Sequence, residues 1–467
     1  MKFLDRTDEL ARLEALTSRR GGGFAVVVGR RRIGKTRLLL EWVRRSGGLY
    51  VVADESAPDV QRRFVAQALD ARFPGFADVA YPDWAALLSR LVREAKASGW
   101  RGPVVFDEIP YLVASSPELP SVLQRFVDHD ARAAGLTVAI AGSSQRMMQG
   151  LVLAADAPLY GRADACLEVG PLPAGFLRDA LDVSAGPALV EAYTAWGGVP
   201  RYWELAAAVP GTCVERFEHL VLDPLGPLHR EPERLLREES PSATEVRPVL
   251  DVIGGGAHRV TEIAGRLGRP ATSLARPLTR LQALGLVRRD IPFGEAERGG
   301  RRALYRIADP FTRAWFRVVA PHRAAITSGT RATRRALVAG LWPALCAEAW
   351  EDLCRASVPR AAGAALGREG PWGPCARWWH GESPEWDVVG ASADGRGLLL
   401  GEVKWRDRPF DARHLADAIE GLRRKPEPPL PARYARSERR RALFVPTVAP
   451  GVDLPDDVIV VTARDLV

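Results

Sequence analysis

Residues 24–46 read FAVVVGRRRIGKTRLLLEWVRRS. An apolar run from Phe24 to Val28 meets Gly29, four variable residues and Gly34-Lys35-Thr36. A segment with Leu38, Leu39 and Trp42 available for one packed face follows. That order dictates a buried strand of a parallel sheet, a tight loop and then a helix. Gly29 and Gly34 let backbone N–H groups turn inward around phosphates. Lys35 offers a compact ammonium to the β- and γ-phosphates, Thr36 offers a hydroxyl to magnesium, and the helix N-terminus adds a favourable dipole. Such a match arises by chance about 0.004 times in a chain of this length and composition, so ATP and Mg2+ are the expected cofactors.

Further chemistry is expected downstream in GPVVFDEIPYL. Its apolar run Val104–Phe106 reads as a second central strand ending in Asp107 and Glu108. Asp107 is placed to hold magnesium and Glu108 to polarise the attacking water. A third run, Val138–Ala141, ends in Gly142, Ser143 and Ser144. A hydroxyl at Ser143 could sense the γ-phosphate; an N-cap for the following helix accounts for it equally well.

These pieces together resemble the archaeal-type ATPases, in the AAA-like, signal-transduction branch of P-loop NTPases. The resemblance rests on FLDRTDELARLE, GRRRIGKT, VVFDE, GSS, PLYGR and WGGVPRYWE. It implies that Phe3, Arg6 and Glu9 lie near the nucleotide base. It also implies that Gly197-Gly198-Val199-Pro200 begins a lid helix facing the nucleotide, with Pro200 in the binding site. Arg162 of PLYGR is by the same resemblance an arginine finger, although a surface ion-pairing role suits it too. A finger acting in trans would make the active form a homo-oligomer.

With 467 residues, several domains are expected. No stretch approaches the ~20 apolar residues that span a bilayer, and the N-terminus lacks a signal-peptide core, so a cytoplasmic protein without membrane contact is expected. The five Cys form no CxxC pair, which argues against a zinc ribbon or a disulfide scaffold. Only five of the 65 basic residues are Lys: Lys2, Lys35, Lys96, Lys404 and Lys425. Arg is the default cation here, so each Lys carries information.

The formal net charge of +8 is concentrated in one place. From Val246 to Ile307 there are 12 Arg against 5 acids. The same segment reads as helix, helix, a longer helix from Ala271 to Leu284, and a hairpin (286–291 and 303–307), which is the order of a winged helix-turn-helix. Leu274, Leu278, Leu281 and Leu284 form an apolar stripe opposite Thr272, Arg276, Thr279 and Arg280. Arg276 and Arg280, with Arg301 and Arg302 of the wing, are the expected DNA contacts. Pro277 is expected to kink that helix.

At the C-terminus, ALCAEAWEDLCRASV reads as a helix bearing Glu348, Glu351 and Asp352. Two strands follow, one with Asp387 and one with Glu402 and Lys404 on a shared face. Carboxylates hold hard cations and a lysine positions water, as a metal-dependent phosphodiesterase requires. The region resembles the PD-(D/E)XK nuclease-like domain commonly joined to archaeal-type ATPases. The resemblance carries over to Glu351, Asp387, Glu402 and Lys404, with Asp387 and Glu402 as metal ligands. Trp386 stands before Asp387 where a small aliphatic residue is usual, and many members of that fold keep the architecture without activity.

The expected fold is therefore α/β: a P-loop ATPase core (1–171), a helical lid (172–240), a winged helix-turn-helix (241–310), a basic linker (311–335) and a restriction-endonuclease-like domain (336–467). The expected function is an ATP-hydrolysing switch that binds DNA, with nuclease activity left open. The alternative is a regulatory ATPase whose C-terminal modules bind a protein partner and cut nothing.

Overall fold

The computed structural model describes residues 3–239, 243–296, 302–361, 366 and 371–466. The chain divides into two units, Met1–Leu172 with Val199–Arg201, and Pro173–Gly198 with Tyr202–Val467.

In the first unit the strands are β1 (Gly23–Val28), β2 (Leu49–Val52), β3 (Pro103–Asp107), β4 (Thr137–Gly142) and β5 (Ala165–Glu168). They form one parallel sheet in the order β2-β3-β4-β1-β5. Every residue of β1, β3 and β4 is buried. Strands covered on both faces need apolar side chains on both, hence unbroken runs in place of alternation. The register sets Val28 beside Gly142 and Phe106 beside Ile140. The carboxyl ends of β1, β3 and β4 therefore lie side by side. The helix Lys35–Ser46 leaves the loop after β1 and buries Leu38, Leu39 and Trp42.

The second unit contains the helices Ala243–Gly254 and Val260–Leu267, then a 3-10 turn, Ala271–Leu274, that runs into the helix Ala275–Ala283. An antiparallel pair, β6 (Val287–Asp290) and β7 (Leu304–Ile307), completes this group. Leu274, Leu278, Leu281 and Leu284 are buried, while Thr272, Arg276 and Thr279 are exposed. The kink expected at Pro277 does not arise. The α-helix begins at Ala275, which puts Pro277 in its first turn, where an N–H has no intrahelical acceptor.

A second sheet contains β8 (Ala376–His380), β9 (Ser383–Ala391), β10 (Gly397–Val403), β11 (Glu438–Phe444) and β12 (Ile459–Val461). Its order is β12-β11-β10-β9-β8, antiparallel from β8 to β10 and parallel from β10 to β12. The helix Arg331–Ser357 packs on β9 and β10, and the helix Ala412–Arg424 on β11. Trp386, Val389, Leu400, Leu443 and Ile419 share one core.

The stretch expected as a linker is helical. Pro310–Val318 and Arg323–Ser328 are helices, and Arg331–Ser357 continues unbroken across the expected boundary at 336. Asp309 caps the first helix by accepting from the Thr312 N–H, and Phe311, Trp315 and Phe316 are buried. Its cations misled the reading: Arg313 is a buried ion-pairing residue, whereas a solvated linker would expose it.

Among the described residues no helix is long and apolar enough to cross a membrane.

Candidate functional site

The loop after β1 closes on itself. Gly34 has φ 100°, a conformation that side-chain-bearing residues rarely adopt, and leads straight into the helix Lys35–Ser46. Lys35 is buried, and its Nζ donates to the Gly29 carbonyl at 2.7 Å and the Arg30 carbonyl at 3.3 Å. Thr36 Oγ1 donates to Asp107 Oδ2 at 3.0 Å, and the Glu108 N–H donates to Asp107 Oδ1 at 2.9 Å. Thr36 and Asp107 thus bring two hard oxygen donors together, the donor type that magnesium prefers. Tyr50 donates its hydroxyl to the same Asp107 Oδ2 at 2.6 Å. Burial, then the Asp107 charge, push the Tyr50 phenol above its ordinary range.

Glu108 sits at φ 54° at the start of the helix Ile109–Ser115. A non-glycine residue held there is strained, and such strain is characteristic of functional positions. Its Oε2 accepts from Ser143 Oγ at 2.9 Å and from the Ser143 N–H at 3.2 Å. Arg6 is buried and donates to Glu9 Oε1 at 2.9 Å, to the Gly170 carbonyl at 2.6 Å and to the Ile33 carbonyl at 3.2 Å. A small cavity lined by Phe3, Arg6, Ile33, Gly34, Leu172 and Pro200 adjoins the loop. Arg162 pairs with Asp128 at 3.0 Å and donates to the Pro158 carbonyl at 3.1 Å.

In the second unit the structure gathers the expected carboxylates into one electrostatic cluster. Asp387, on β9, accepts from the Val403 N–H at 2.9 Å. Glu402, on β10, accepts from Lys404 at 2.9 Å through Oε1 and pairs with Lys425 through Oε2. The Lys425 ammonium lies 4.8 Å from the Trp386 ring centroid. Glu351 pairs with Arg355 at 3.5 Å and with Arg377 at 3.8 Å. Burial, then the Glu351 and Glu402 charges, raise the Asp387 carboxyl to about 6. Both oxygens of Glu402 therefore already face ammonium groups. Among the described residues no three His, Cys, Asp or Glu side chains stand close enough to hold a metal ion. A cation at Asp387 and Glu402 would have to displace lysine, so the residues do not fit a preformed metal site.

Of the expected DNA contacts, Arg276 is exposed and Arg280 half-buried on the helix Ala275–Ala283. Arg302 pairs with Glu295 and donates to the carbonyl of Trp379 on β8 at 3.2 Å. Arg301 lies outside the described residues.

Residues 3–205 match the family described as an ATPase domain predominantly from Archaea. Over 411 residues the chain is 27% identical to an uncharacterized protein of Methanocaldococcus jannaschii, covering 87% of this chain and 88% of that protein. The Walker-type ATPase of Pyrococcus abyssi shares its fold with TM-score 0.53 and 19% identity over 68% of this chain and 96% of that one. The Aeropyrum pernix ORC2 protein, solved with ADPNP and ADP, aligns at TM-score 0.41 and 17% identity over 72% of this chain and 96% of that one. Residues 315–415 match a family described as archaeal and bacterial proteins of unknown function.

Two contacts escaped sequence reasoning. In the first unit nothing in the strand LYVV marks Tyr50 as a partner of Asp107. In the second unit Lys425 follows a helix far from Glu402 in sequence, and its only signal was the rarity of lysine.

Proposed function

We propose that the chain is an ATP-binding and ATP-hydrolysing switch that engages DNA through residues 243–307, folded as a winged helix-turn-helix. The observation that carries the ATPase reading is the convergence on Asp107. Thr36 reaches it from the phosphate loop, and Glu108 follows it on the backbone with its carboxylate held by Ser143. Magnesium held by Thr36 and Asp107 would neutralise charge on the phosphates. The loop N–H groups and Lys35 bind and orient the triphosphate, and Glu108 accepts a hydrogen bond from the attacking water. Ser143 fixes the Glu108 carboxylate, and the Phe3, Arg6 and Pro200 cavity accommodates the base. Arg162 serves as a finger on release from Asp128, which a second copy of the chain could bring about.

The exposed face of the 3-10 turn Ala271–Leu274 and the helix Ala275–Ala283 supports the DNA reading, because Thr272, Arg276 and Thr279 point to solvent over a buried leucine stripe. The C-terminal sheet and the helix packed on it, with Asp387, Glu402, Lys404 and Glu351 drawn near one another, support a restriction-endonuclease-like fold. Its double lysine pairing at Glu402 favours a second reading for that domain: a protein-binding module that cuts nothing. No cleavage step is assigned to it.

Glu108→Gln is expected to bind ATP normally and to lose turnover by roughly 10²–10⁴-fold, while Lys35→Ala loses ATP binding. Wild-type turnover measured with and without duplex DNA separates the readings, since stimulation supports the DNA-linked switch. Normal turnover in Glu108→Gln would remove the hydrolytic role assigned to this site.

A further inference from the structure

The residues that join β6 to β7 are fastened to the C-terminal sheet. β8 ends that sheet, so its outer edge has no strand partner. Two of its carbonyls are answered from the hairpin: the Phe293 N–H donates to Arg377 at 2.8 Å, and the Arg302 guanidinium donates to Trp379 at 3.2 Å. The Trp379 indole N–H returns a bond to the Arg302 carbonyl at 3.2 Å. Beyond the edge, the Phe293 ring lies 5.2 Å from the Tyr434 ring and packs on the core of the sheet. Arg433 donates to the Gly294 carbonyl at 3.1 Å. Gly294 has φ 86°, and a Cβ there would stand 3.0 Å from Pro431, so this turn is shaped for the contact.

We propose that this contact is an autoinhibitory latch on DNA binding: it withholds the hairpin from a duplex, and release from β8 and the turn Ala432–Tyr434 frees Arg302 for a backbone phosphate. The proposal rests on the reading of residues 243–307 as a DNA-binding module, in which this hairpin is the wing. In the held form Arg302 is paired with Glu295 and bonded to the Trp379 carbonyl. A guanidinium whose charge and donors are already engaged neutralises no phosphate and displaces no counterion from DNA. Release is therefore worth a phosphate contact, which positions the module without reading sequence.

Burial separates this latch from the permanent joint beside it. Arg288, on β6, pairs with the buried Asp352 of the helix Arg331–Ser357 at 2.5 Å, and the buried Arg313 pairs with the same carboxylate. In the latch, by contrast, Phe293, Glu295, Arg302 and Tyr434 are half-buried and Arg433 is exposed. Contacts that water reaches open locally at lower cost than a buried network. The hairpin end can thus leave β8 while Arg288 and Asp352 keep the two parts together. A protein whose binding-competent form is only a fraction of the population binds more weakly by that fraction. Loosening the latch should accordingly tighten DNA binding.

The test is fluorescence anisotropy of a labelled duplex oligonucleotide with the full chain, over a salt series. Phe293→Ala on the hairpin and Tyr434→Ala across the contact should each bind at least about fivefold more tightly than wild type. The salt slope of log K should steepen by about one phosphate contact as Arg302 joins the DNA. Phe293→Ala with Arg302→Ala should lose the added slope and most of the added affinity. Arg433→Ala changes an exposed side chain and removes the bond to the Gly294 carbonyl. It should show the same gain on a smaller scale, and it covers the case in which the aromatic variants misfold. Arg276→Ala with Arg280→Ala, titrated alongside, reports on the DNA reading itself. Wild-type binding that needs those two arginines but is unmoved by Phe293→Ala, Tyr434→Ala and Arg433→Ala overturns the latch and leaves the DNA reading standing. A gain that survives the loss of Arg302 overturns it as well, and no duplex binding by any of the chains overturns both.

Discussion

Tyr50 Oη and Asp107 Oδ2 stand 2.6 Å apart, and that same oxygen accepts from Thr36 at 3.0 Å. One carboxylate oxygen thus carries two hydroxyl donors at the point where a cation would be received. The tyrosine keeps the buried Asp107 satisfied, and under the role proposed for Asp107 it would give way or share when a cation binds.

Tyr50→Phe is therefore expected to destabilise the nucleotide-free protein by about 1.5–3 kcal/mol, the net worth of a hydrogen bond to a charged group. It should also lower the magnesium concentration at half-maximal ATP turnover, because a competing donor is gone. Thermal denaturation and a magnesium titration of turnover check the two halves. An unchanged magnesium requirement would show that Tyr50 does not act on that oxygen.

Asp352 is held far below the ordinary carboxylate range: burial opposes its charge, but Arg288, Arg313 and Arg355 outweigh it. A depressed folded value means that the unfolded chain binds the proton more readily. The contribution is present above the ordinary carboxylate range and is lost as pH falls below it. Asp352→Asn leaves the buried Arg313 and the partly buried Arg288 and Arg355 short of a counter-charge and should cost about 3–5 kcal/mol. Denaturant unfolding of the full chain near neutral pH measures this, and a loss under 1 kcal/mol would contradict the assigned role.

Asp387 has the opposite sign. Its folded value, about 6, lies above the ordinary 3.8. The folded state therefore holds the proton more tightly, and this group's contribution declines as pH rises from about 4 to about 6. Asp387→Asn keeps an acceptor for the Val403 N–H and removes the titration. Wild type minus variant stability should fall across that window and level off above it; a flat difference would rule the shift out.

Arg276→Ala with Arg280→Ala should weaken duplex DNA binding and reduce the salt slope of log K by up to about two phosphate contacts. Arg302→Ala should change the slope little, since its guanidinium is engaged by Glu295 and the Trp379 carbonyl. Fluorescence anisotropy over a salt series decides between them. A slope unmoved by the double variant would exclude that helix face as the DNA contact.

How far the site could be read depended on how local its parts are. Gly29 through Thr36 are consecutive, and β1, β3 and β4 announce themselves as unbroken apolar runs because both their faces are covered. The leucine stripe of the helix Ala275–Ala283 was legible for the same reason: burial imposes a helical period on one segment. The stretch 311–335 was not, because its arginines look solvated until Arg313 meets Asp352. Pro277 looked disruptive only because the helix start could not be placed to one residue.

The sequence alone determined the phosphate loop, the strand that ends in Asp107 and Glu108, and the concentration of positive charge before the C-terminal domain. Each lies in one stretch of chain, where backbone geometry and periodic burial act on neighbours. Tertiary structure decided which groups answer those residues. Tyr50 reaches Asp107 only because β2 pairs with β3 in its register. Lys425 reaches Glu402 only because the helix Ala412–Arg424 packs on the second sheet and returns the chain toward β10. Such contacts join residues far apart in sequence, and side-chain type does not specify them until folding brings the strands and helices together.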